Sequence, residues 1–281
     1  MARLLLPAMK PDLALRKRML VNIVMVPGLI LVTMLGGWLF TIFVAVVLVI
    51  AAWELWRLLR KGGNSPSLVV MGIFIAAAVI LRHLLGFEHS GLWLSVLILL
   101  AMFVHTIAMQ KGRTAAATDF LLTTGSVLYL GWLGSYAVSL RALENGLYWV
   151  LLVFPIISIA DSGAYIFGRL FGKHKMIPLV SPKKSWEGYI GGILIGTLGG
   201  WGLAAMWHLV AANMLPWHGL IIGAVVSILA PFGDFGESMI KRQFDEKDSG
   251  NLLLEHGGLL DRMDSSLWAA AIGFYLIQWL L

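Results

Sequence analysis

Two kinds of residue are absent or scarce in this chain of 281 residues: cysteine and charged side chains. Because there is no cysteine, disulfides, thiolate catalysis and thiolate metal sites are excluded, and any metal must be bound by oxygen or imidazole ligands. Only 13% of the residues are charged and 59% are hydrophobic, whereas an average soluble domain has about 25% charged residues. A soluble enzyme, a disordered chain and a secreted disulfide-rich domain are therefore excluded, and a polytopic membrane protein is indicated.

Long apolar runs predict the fold class. A bilayer core of about 30 Å requires roughly 20 mostly apolar residues per helix. We predict an all-α, polytopic integral membrane protein with about nine transmembrane helices and a polar cavity that faces the cytoplasm. The predicted spans lie near residues 20–36, 38–58, 67–84, 91–109, 118–140, 146–167, 188–210, 218–236 and 265–281. Several of these runs are interrupted by glycine, which suits close helix packing in lipid.

The basic residues predict the orientation, because Lys and Arg gather in cytoplasmic loops. With the N-terminus inside, all 21 Lys and Arg residues except Arg82 and Arg141 fall on the cytoplasmic side. We therefore predict a multi-pass cell-membrane protein with a cytoplasmic N-terminus and an external C-terminus. The motif Trp53-Glu54-Leu55-Trp56-Arg57 ends the second span, and we interpret it as an interfacial anchor with Trp at the headgroups and Arg reaching water.

The chain divides into two regions of different polarity. Residues 1–140 carry mostly apolar spans and ordinary anchors, and we interpret them as a helical scaffold. Whether this scaffold also forms the contacts of a dimer stays open. Residues 141–281 contain two long cytoplasmic segments, 161–188 and 234–264. The second segment holds more than half of the chain's 15 acids. We therefore expect the chemistry in the C-terminal region.

Acidic residues of the second segment form two helical stripes. Asp234, Glu237, Ser238 and Lys241 follow i, i+3, i+4 and i+7 spacing, so they share one helix face. The same spacing recurs from Asp261 to Asp264. A carboxylate beside an apolar span is costly unless it is paired, faces water or holds a cation, and carboxylates without Cys suit a hard cation such as Mg²⁺. Alternatively, these acids neutralise basic neighbours in a solvated loop, namely Lys241, Arg242, Lys247 and Arg262.

Candidate anion-binding residues lie in both segments. The run Ser181-Pro182-Lys183-Lys184-Ser185 offers hydroxyls, amides and two ammonium groups just before a helix N-terminus, where anions are favoured. The alternative is a loop that touches anionic lipid. In the turn Glu255-His256-Gly257-Gly258, His256 either binds phosphate or holds the turn. The basic residues are split among membrane-side loops without interleaved aromatics, so we predict no nucleic-acid partner.

These motifs are similar to those of a known family. The stretches Ser238-Met239-Ile240-Lys241-Arg242, Lys247-Asp248-Ser249-Gly250 and His256-Gly257-Gly258-Leu259-Leu260-Asp261-Arg262-Met263-Asp264 resemble the signature of phosphatidate cytidylyltransferases, also called CDP-diacylglycerol synthases. Residues 160–165, 168–169 and 181–188 also resemble stretches of that family. The resemblance is strong over about 155–270 and rests mainly on hydropathy before it. Leu254 departs from the family, which has Pro or Gly there, and this puts the local turn geometry in doubt.

The resemblance implies transfer of a cytidylyl group from CTP to phosphatidate in the membrane, with Mg²⁺ as cofactor. Whether a second cation also binds stays open. Asp234 and Asp261 would be the metal ligands, with Glu237 and Asp264 in support. Residues implied to hold the triphosphate or the lipid phosphate are Lys241, Arg242, Lys247, His256 and Arg262. Those implied for the nucleotide side of the cavity and its membrane edge are Ser181, Lys183, Lys184 and Asp161. The family also implies a homodimer, which nothing in the sequence tests.

Two alternative functions stay open. A CTP-dependent cytidylyltransferase acting on another lipid or on a polyprenyl phosphate would share these motifs, because apolar helix faces set selectivity among lipid chains. An ion-coupled secondary transporter would use buried acids differently, and it predicts charged residues within helices of both halves together with an internal repeat. The sequence shows neither feature convincingly.

Overall fold

The computed structural model describes residues 27–250 and 257–281, and most of them are helical. Residues 27–35 form a helical segment that ends before Gly36. The elements that follow are α1 (Gly37–Lys61), α2 (Leu68–Leu85), α3 (Ser90–Gln110), α4 (Ala116–Ser126), a π-helical turn (Val127–Trp132), α5 (Leu133–Ala142), α6 (Gly146–Phe171), β1 (Lys175–Ile177), β2 (Ser181–Ser185), α7 (Trp186–Trp207), α8 (Pro216–Leu229), α9 (Pro231–Gln243) and α10 (Leu260–Leu280).

Six helical segments of the described chain are long and apolar enough to cross a bilayer. They are α1, α2, α3, α6, α7 and the combined α8–α9 segment Pro216–Gln243. The predicted span 118–140 is divided among α4, the π-helical turn and α5, while most of the predicted span 20–36 lies outside the described residues. The all-α membrane class is confirmed, and the number nine stays a prediction.

The N-terminal region packs around the inner faces of α1, α2 and α3. Leu48, Met71, Ile75 and Leu97 have no exposed surface and belong to one apolar cluster. The opposite face of α3 is apolar as well, and its Phe103 is 62% exposed. A helix that is apolar on both its packed and its exposed faces is typical of a lipid-facing span.

The C-terminal region is held together by close contact of α6, α7 and α8. Buried glycines recur every four residues along α7, at Gly188, Gly192, Gly196 and Gly200. A Cβ atom on Gly200 would lie 2.4 Å from the carbonyl oxygen of Gly219 on α8, so no larger residue fits there. This confirms the expectation that glycine permits close helix packing in these spans.

Segment 161–188 forms ordered structure. Its first residues continue α6 to Phe171, so Asp161 lies on a helix. Strands β1 and β2 then form an antiparallel hairpin, with Lys175 opposite Ser185. The Ser185 hydroxyl accepts a hydrogen bond from the Gly188 N–H at 3.3 Å and so caps the start of α7. The hairpin therefore holds Lys183 and Lys184 beside the C-terminal end of α6 and the N-terminal end of α7.

Candidate active site

Helices α9 and α10 bring the predicted acids together. The acidic stripe of the second segment lies on α9, and α10 begins one residue before Asp261. The two helices approach closely at Gly233, where an added Cβ atom would lie 2.4 Å from the carbonyl oxygen of Asp264. This backbone contact brings Asp234 near Asp264.

Three carboxylates form a compact cluster at this contact. One oxygen from each of Asp234, Glu237 and Asp264 lies within 4.8 Å of the others. Glu237 is 1% exposed and Asp264 is 7% exposed, and the Oε1 atom of Glu237 accepts no hydrogen bond from any described residue. Opposite oxygen ligands of an octahedral Mg²⁺ are about 4.2 Å apart. The spacing, the oxygen donors and the unsatisfied Glu237 oxygen therefore fit a hard divalent cation.

Lys241 joins this cluster to Asp261. The Lys241 Nζ lies 2.5 Å from Glu237 Oε2 and 2.7 Å from Asp261 Oδ1. Asp261 also accepts the Gly258 N–H at 2.7 Å and the Ser249 N–H at 3.1 Å. Burial raises the pKa of Asp261, but hydrogen bonds that involve Glu237, Lys241 and the Gly258 amide outweigh burial and hold it below its ordinary value. Asp261 stands outside the three-carboxylate cluster, with both oxygens occupied.

Lys184 connects the hairpin to the carboxylate cluster. Its ammonium forms an ion pair with Asp234 and lies 4.4 Å from the centre of the Phe235 ring. The Ser238 hydroxyl donates to Asp234 Oδ1 at 3.2 Å. Asp161 is exposed on α6, and the charges of both Lys184 and Asp234 act on it. Segments 161–188 and 234–264 thus meet at one site, as the sequence predicts.

The remaining predicted residues lie near the site residues in the sequence or fall outside the described chain. Ser181 is half-buried on β2. The exposed basic residues are Lys183, Arg242, Lys247 and Arg262. His256 and Leu254 lie outside the described residues, so the predictions for them stay predictions.

Charge is unevenly distributed across the site. Among the described residues, the carboxylates of Asp234, Glu237 and Asp261 form ion pairs with only two ammonium groups, those of Lys184 and Lys241. With Asp264 included, acids outnumber these bound cations by two. Such a group of buried carboxyl groups is unfavourable in its fully ionised form unless bound protons or a bound cation reduce the repulsion among them. Exposed basic residues adjoin the site residues in the sequence, namely Lys183 beside Lys184, Arg242 beside Lys241 and Arg262 beside Asp261.

Sequence reasoning missed Tyr129. The residue lies in the π-helical turn, and the charges of Asp264, Glu237 and Asp234 all act on its hydroxyl. That hydroxyl is buried and has no hydrogen-bond partner among the described residues. A π-helical turn often marks a functional position, but hydropathy gives no signal for it.

Glu54 is the second residue whose position the sequence did not reveal. Trp53 is 37% exposed, and the Arg57 guanidinium lies 4.8 Å from its ring centre, which suits an interfacial anchor. Glu54, within the same motif, is instead fully buried and contacts the second segment. The signal for it in the sequence is an acid inside an apolar run, and the interpretation as an anchor does not explain that acid.

Comparison with known proteins identifies the family. The cytidylyltransferase family pattern matches residues 16–280. The chain belongs to the cytidylyltransferase family. It is 34% identical over 252 residues to a phosphatidate cytidylyltransferase of Staphylococcus haemolyticus, covering 88% of this chain and 93% of that protein. It is 30% identical over 270 residues to the phosphatidate cytidylyltransferase of Bacillus subtilis, covering 94% of this chain and 97% of that protein.

Membership extends the resemblance beyond the C-terminal motifs. The family match begins at residue 16, so the N-terminal helices also belong to the cytidylyltransferase chain. Glu54 lies within the matched range, as do α9 and α10. A cytidylyltransferase must bring two polyanions together, and the site of this chain combines an acidic cluster with surrounding basic residues.

Proposed function

We propose that this chain transfers the cytidylyl group of CTP to phosphatidate, giving CDP-diacylglycerol and pyrophosphate for phospholipid biosynthesis. The observation that carries the proposal is the Asp234–Glu237–Asp264 cluster beside Lys184 and Lys241. It lies where the candidate membrane span Pro216–Gln243 meets the first turns of α10, in a chain of the cytidylyltransferase family. The relatives named phosphatidate cytidylyltransferase support this choice of substrates.

The chemistry of this reaction requires charge neutralisation and alignment. A phosphate monoester is already an anionic nucleophile at neutral pH, so no strong general base is needed. Bound Mg²⁺ would supply electrostatic stabilisation of the charge that builds up on the phosphates. Asp234, Glu237 and Asp264 would hold it, because their oxygens converge and because Glu237 retains an unsatisfied oxygen. Asp261, expected from the resemblance to be a ligand, is not part of this converging group and bonds instead to Lys241 and backbone amides, so we propose an orienting role for it.

The basic residues would bind the two substrates. Lys241 is fixed between Glu237 and Asp261, so its ammonium is positioned before substrate arrives. Lys184 on the hairpin would bind the nucleotide phosphates, together with Lys183 and Ser181. The exposed Arg242, Lys247 and Arg262 would bind the triphosphate or the lipid phosphate.

The membrane arrangement we propose keeps the lipid tails in the bilayer while the headgroup meets CTP from the cytoplasm. It rests on the distribution of Lys and Arg, which favours a cytoplasmic N-terminus and a site on the cytoplasmic side. We retain nine spans with an external C-terminus, residues 1–140 as scaffold, and a homodimer as parts of this proposal.

The test is a transfer assay with the purified, full-length protein. In mixed micelles with radiolabelled CTP and Mg²⁺, we expect CDP-diacylglycerol to form from phosphatidate. Chelation of divalent cations should stop the reaction. Polyprenyl phosphate, supplied in place of phosphatidate, serves as the competing substrate. Faster transfer to polyprenyl phosphate would show that phosphatidate is not the preferred substrate. Full activity after chelation would contradict the metal assignment.

A further inference from the structure

Glu54 connects the N-terminal scaffold to the candidate active site. It lies on α1 with no exposed surface, yet its carboxylate contacts residues about 200 positions later in the chain. Its Oε2 atom accepts the Leu260 N–H at 2.8 Å and lies 3.4 Å from the Ser249 hydroxyl, which donates to it. The carboxylate is thus bonded to Leu260, which precedes Asp261 in the chain, and to Ser249, whose N–H donates to Asp261.

The contact with Leu260 caps a helix from outside. Leu260 is the first residue of α10, and the preceding residue, Leu259, provides no side-chain cap. The first N–H groups of a helix have no partners within it and favour a negative charge. Glu54 supplies both an acceptor and a negative charge at this position.

The same carboxylate binds a residue that donates hydrogen bonds to Asp261. Ser249 donates its hydroxyl to Glu54 and its backbone N–H to Asp261, at 3.2 Å from Oδ1 and 3.1 Å from Oδ2. Asp261 in turn holds Lys241 at 2.7 Å. A continuous set of contacts therefore runs from α1 through Ser249 and Asp261 to the ammonium group at the carboxylate cluster.

Two motif glycines make room for Glu54. A Cβ atom on Gly258 would lie 2.6 Å from Glu54 Oε2, and one on Gly250 would lie 2.8 Å from Oε1. Both separations are too short for a carbon atom. Gly250 therefore leaves room for the Glu54 carboxylate, and Gly258 leaves room for that carboxylate and for the Ser249 hydroxyl, which an added Cβ atom would approach to 2.1 Å.

We propose that Glu54 is a positioning residue for cytidylyl transfer. By binding the Leu260 amide and the Ser249 hydroxyl, it fixes the backbone that orients Asp261 and, through it, Lys241. The inference rests on the proposed function of the site. A merely structural Glu54 would affect the stability of the whole protein equally and would leave the response to Mg²⁺ unchanged.

Hydrogen–deuterium exchange tests the positioning directly. Wild-type protein, Glu54→Gln and the control Asp119→Asn are compared in the same micelles. Asp119 suits as control because it is another fully buried acid of the N-terminal region that accepts a backbone N–H, that of Ser65 at 2.6 Å. We expect Glu54→Gln to speed exchange at residues 257–262 while other helices keep their protection, and Asp119→Asn to leave 257–262 unchanged.

Transfer kinetics provide the second readout. We expect Glu54→Gln to lower kcat. We also expect it to raise the Mg²⁺ concentration that gives the half-maximal rate by about 10-fold, because loss of a group that orients metal-site residues weakens metal binding by at least this factor. Glu54→Asp, which keeps the charge on a shorter side chain, should recover part of the loss. If Glu54→Gln does not fold, Ser249→Ala, which removes only the hydroxyl, should shift both readouts in the same direction by a smaller factor.

The outcomes separate the two proposals. Unchanged exchange at 257–262 together with an unchanged Mg²⁺ response in a folded variant overturns the positioning role. If wild-type protein does not transfer cytidylyl groups but local exchange still depends on Glu54, the proposed function fails while the structural link holds.

Discussion

Two buried acids, one in each region of the molecule, differ in how they are satisfied. Asp119 in the N-terminal region has no exposed surface. Its Oδ1 accepts the Ser65 N–H at 2.6 Å, and its Oδ2 accepts the Arg113 Nε–H at 2.6 Å. Glu237 in the C-terminal region is equally buried, but it lies among other acids and its Oε1 has no partner among the described residues.

The difference shows that burial alone does not identify a functional acid. A buried carboxylate with both oxygens bonded to a guanidinium and an amide contributes to structure, because its desolvation is compensated within the fold. A buried carboxylate with an unsatisfied oxygen beside further acids requires something that the chain does not supply. The donors around each oxygen therefore distinguish these two acids better than burial does.

The largest expected effect follows removal of charge from the cluster. Asp234→Asn should lower the transfer rate by roughly 100- to 1,000-fold, the loss seen when one preorganised electrostatic group is removed from an active site. The rate is measured with saturating CTP and phosphatidate. A rate within a few-fold of wild type would break the distinction drawn between the cluster and Asp119.

Lys241 should show the next largest effect. Lys241→Met removes the ammonium between Glu237 and Asp261, so the two carboxyl groups are no longer bridged and one of the cations that would bind phosphate is lost. We expect kcat to fall by about 10- to 100-fold. Lys241→Arg, which keeps the charge in a different shape, serves as the comparison, and equal rates for the two variants would argue against the role of charge.

A smaller effect is expected for the hairpin lysines, which form a natural matched pair. Lys184 is ion-paired with Asp234, whereas its neighbour Lys183 is exposed. Lys184→Ala should raise KM for CTP by about 10-fold, the size of one lost charge-assisted contact. Lys183→Ala should change KM by less, and the reverse order would contradict the proposed nucleotide side of the site.

The smallest effect on activity is expected from Asp119→Asn. The substitution weakens the bond to Arg113 and so should lower the midpoint of thermal unfolding, while the transfer rate of the folded protein stays within about twofold of wild type. Both quantities are measured on one preparation. A loss of activity without a loss of stability would remove the contrast between the two acids.

The sequence predicts the acidic stripe of α9 well, because helical spacing places Asp234, Glu237 and Lys241 on one face whatever else surrounds them. The meeting of segments 161–188 and 234–264 also follows from charge and from the family motifs. The sequence also groups Asp261 with the metal ligands, although the structure binds both of its oxygens to Lys241 and amides. Periodicity describes which face a residue occupies and says nothing about its partner on another helix.

Two further features depend on long-range packing. Glu54 reaches Leu260 across 206 positions, and no local pattern encodes that contact. The π-helical turn at Val127–Trp132 changes the face that Tyr129 presents, whereas a hydropathy window reads the same residues as one continuous span. In both cases tertiary contacts decide what local sequence leaves open.

Binding of Mn²⁺ in place of Mg²⁺, followed by electron paramagnetic resonance with a non-reactive CTP analogue present, tests the central claim most directly. Wild-type protein and Asp119→Asn should bind the ion with equal affinity. Asp264→Asn should bind it at least about 10-fold more weakly, because a neutral amide oxygen replaces one of the three convergent carboxylates. Equal affinity in all three proteins would contradict the account that the acids of α9 and α10 form a cation site.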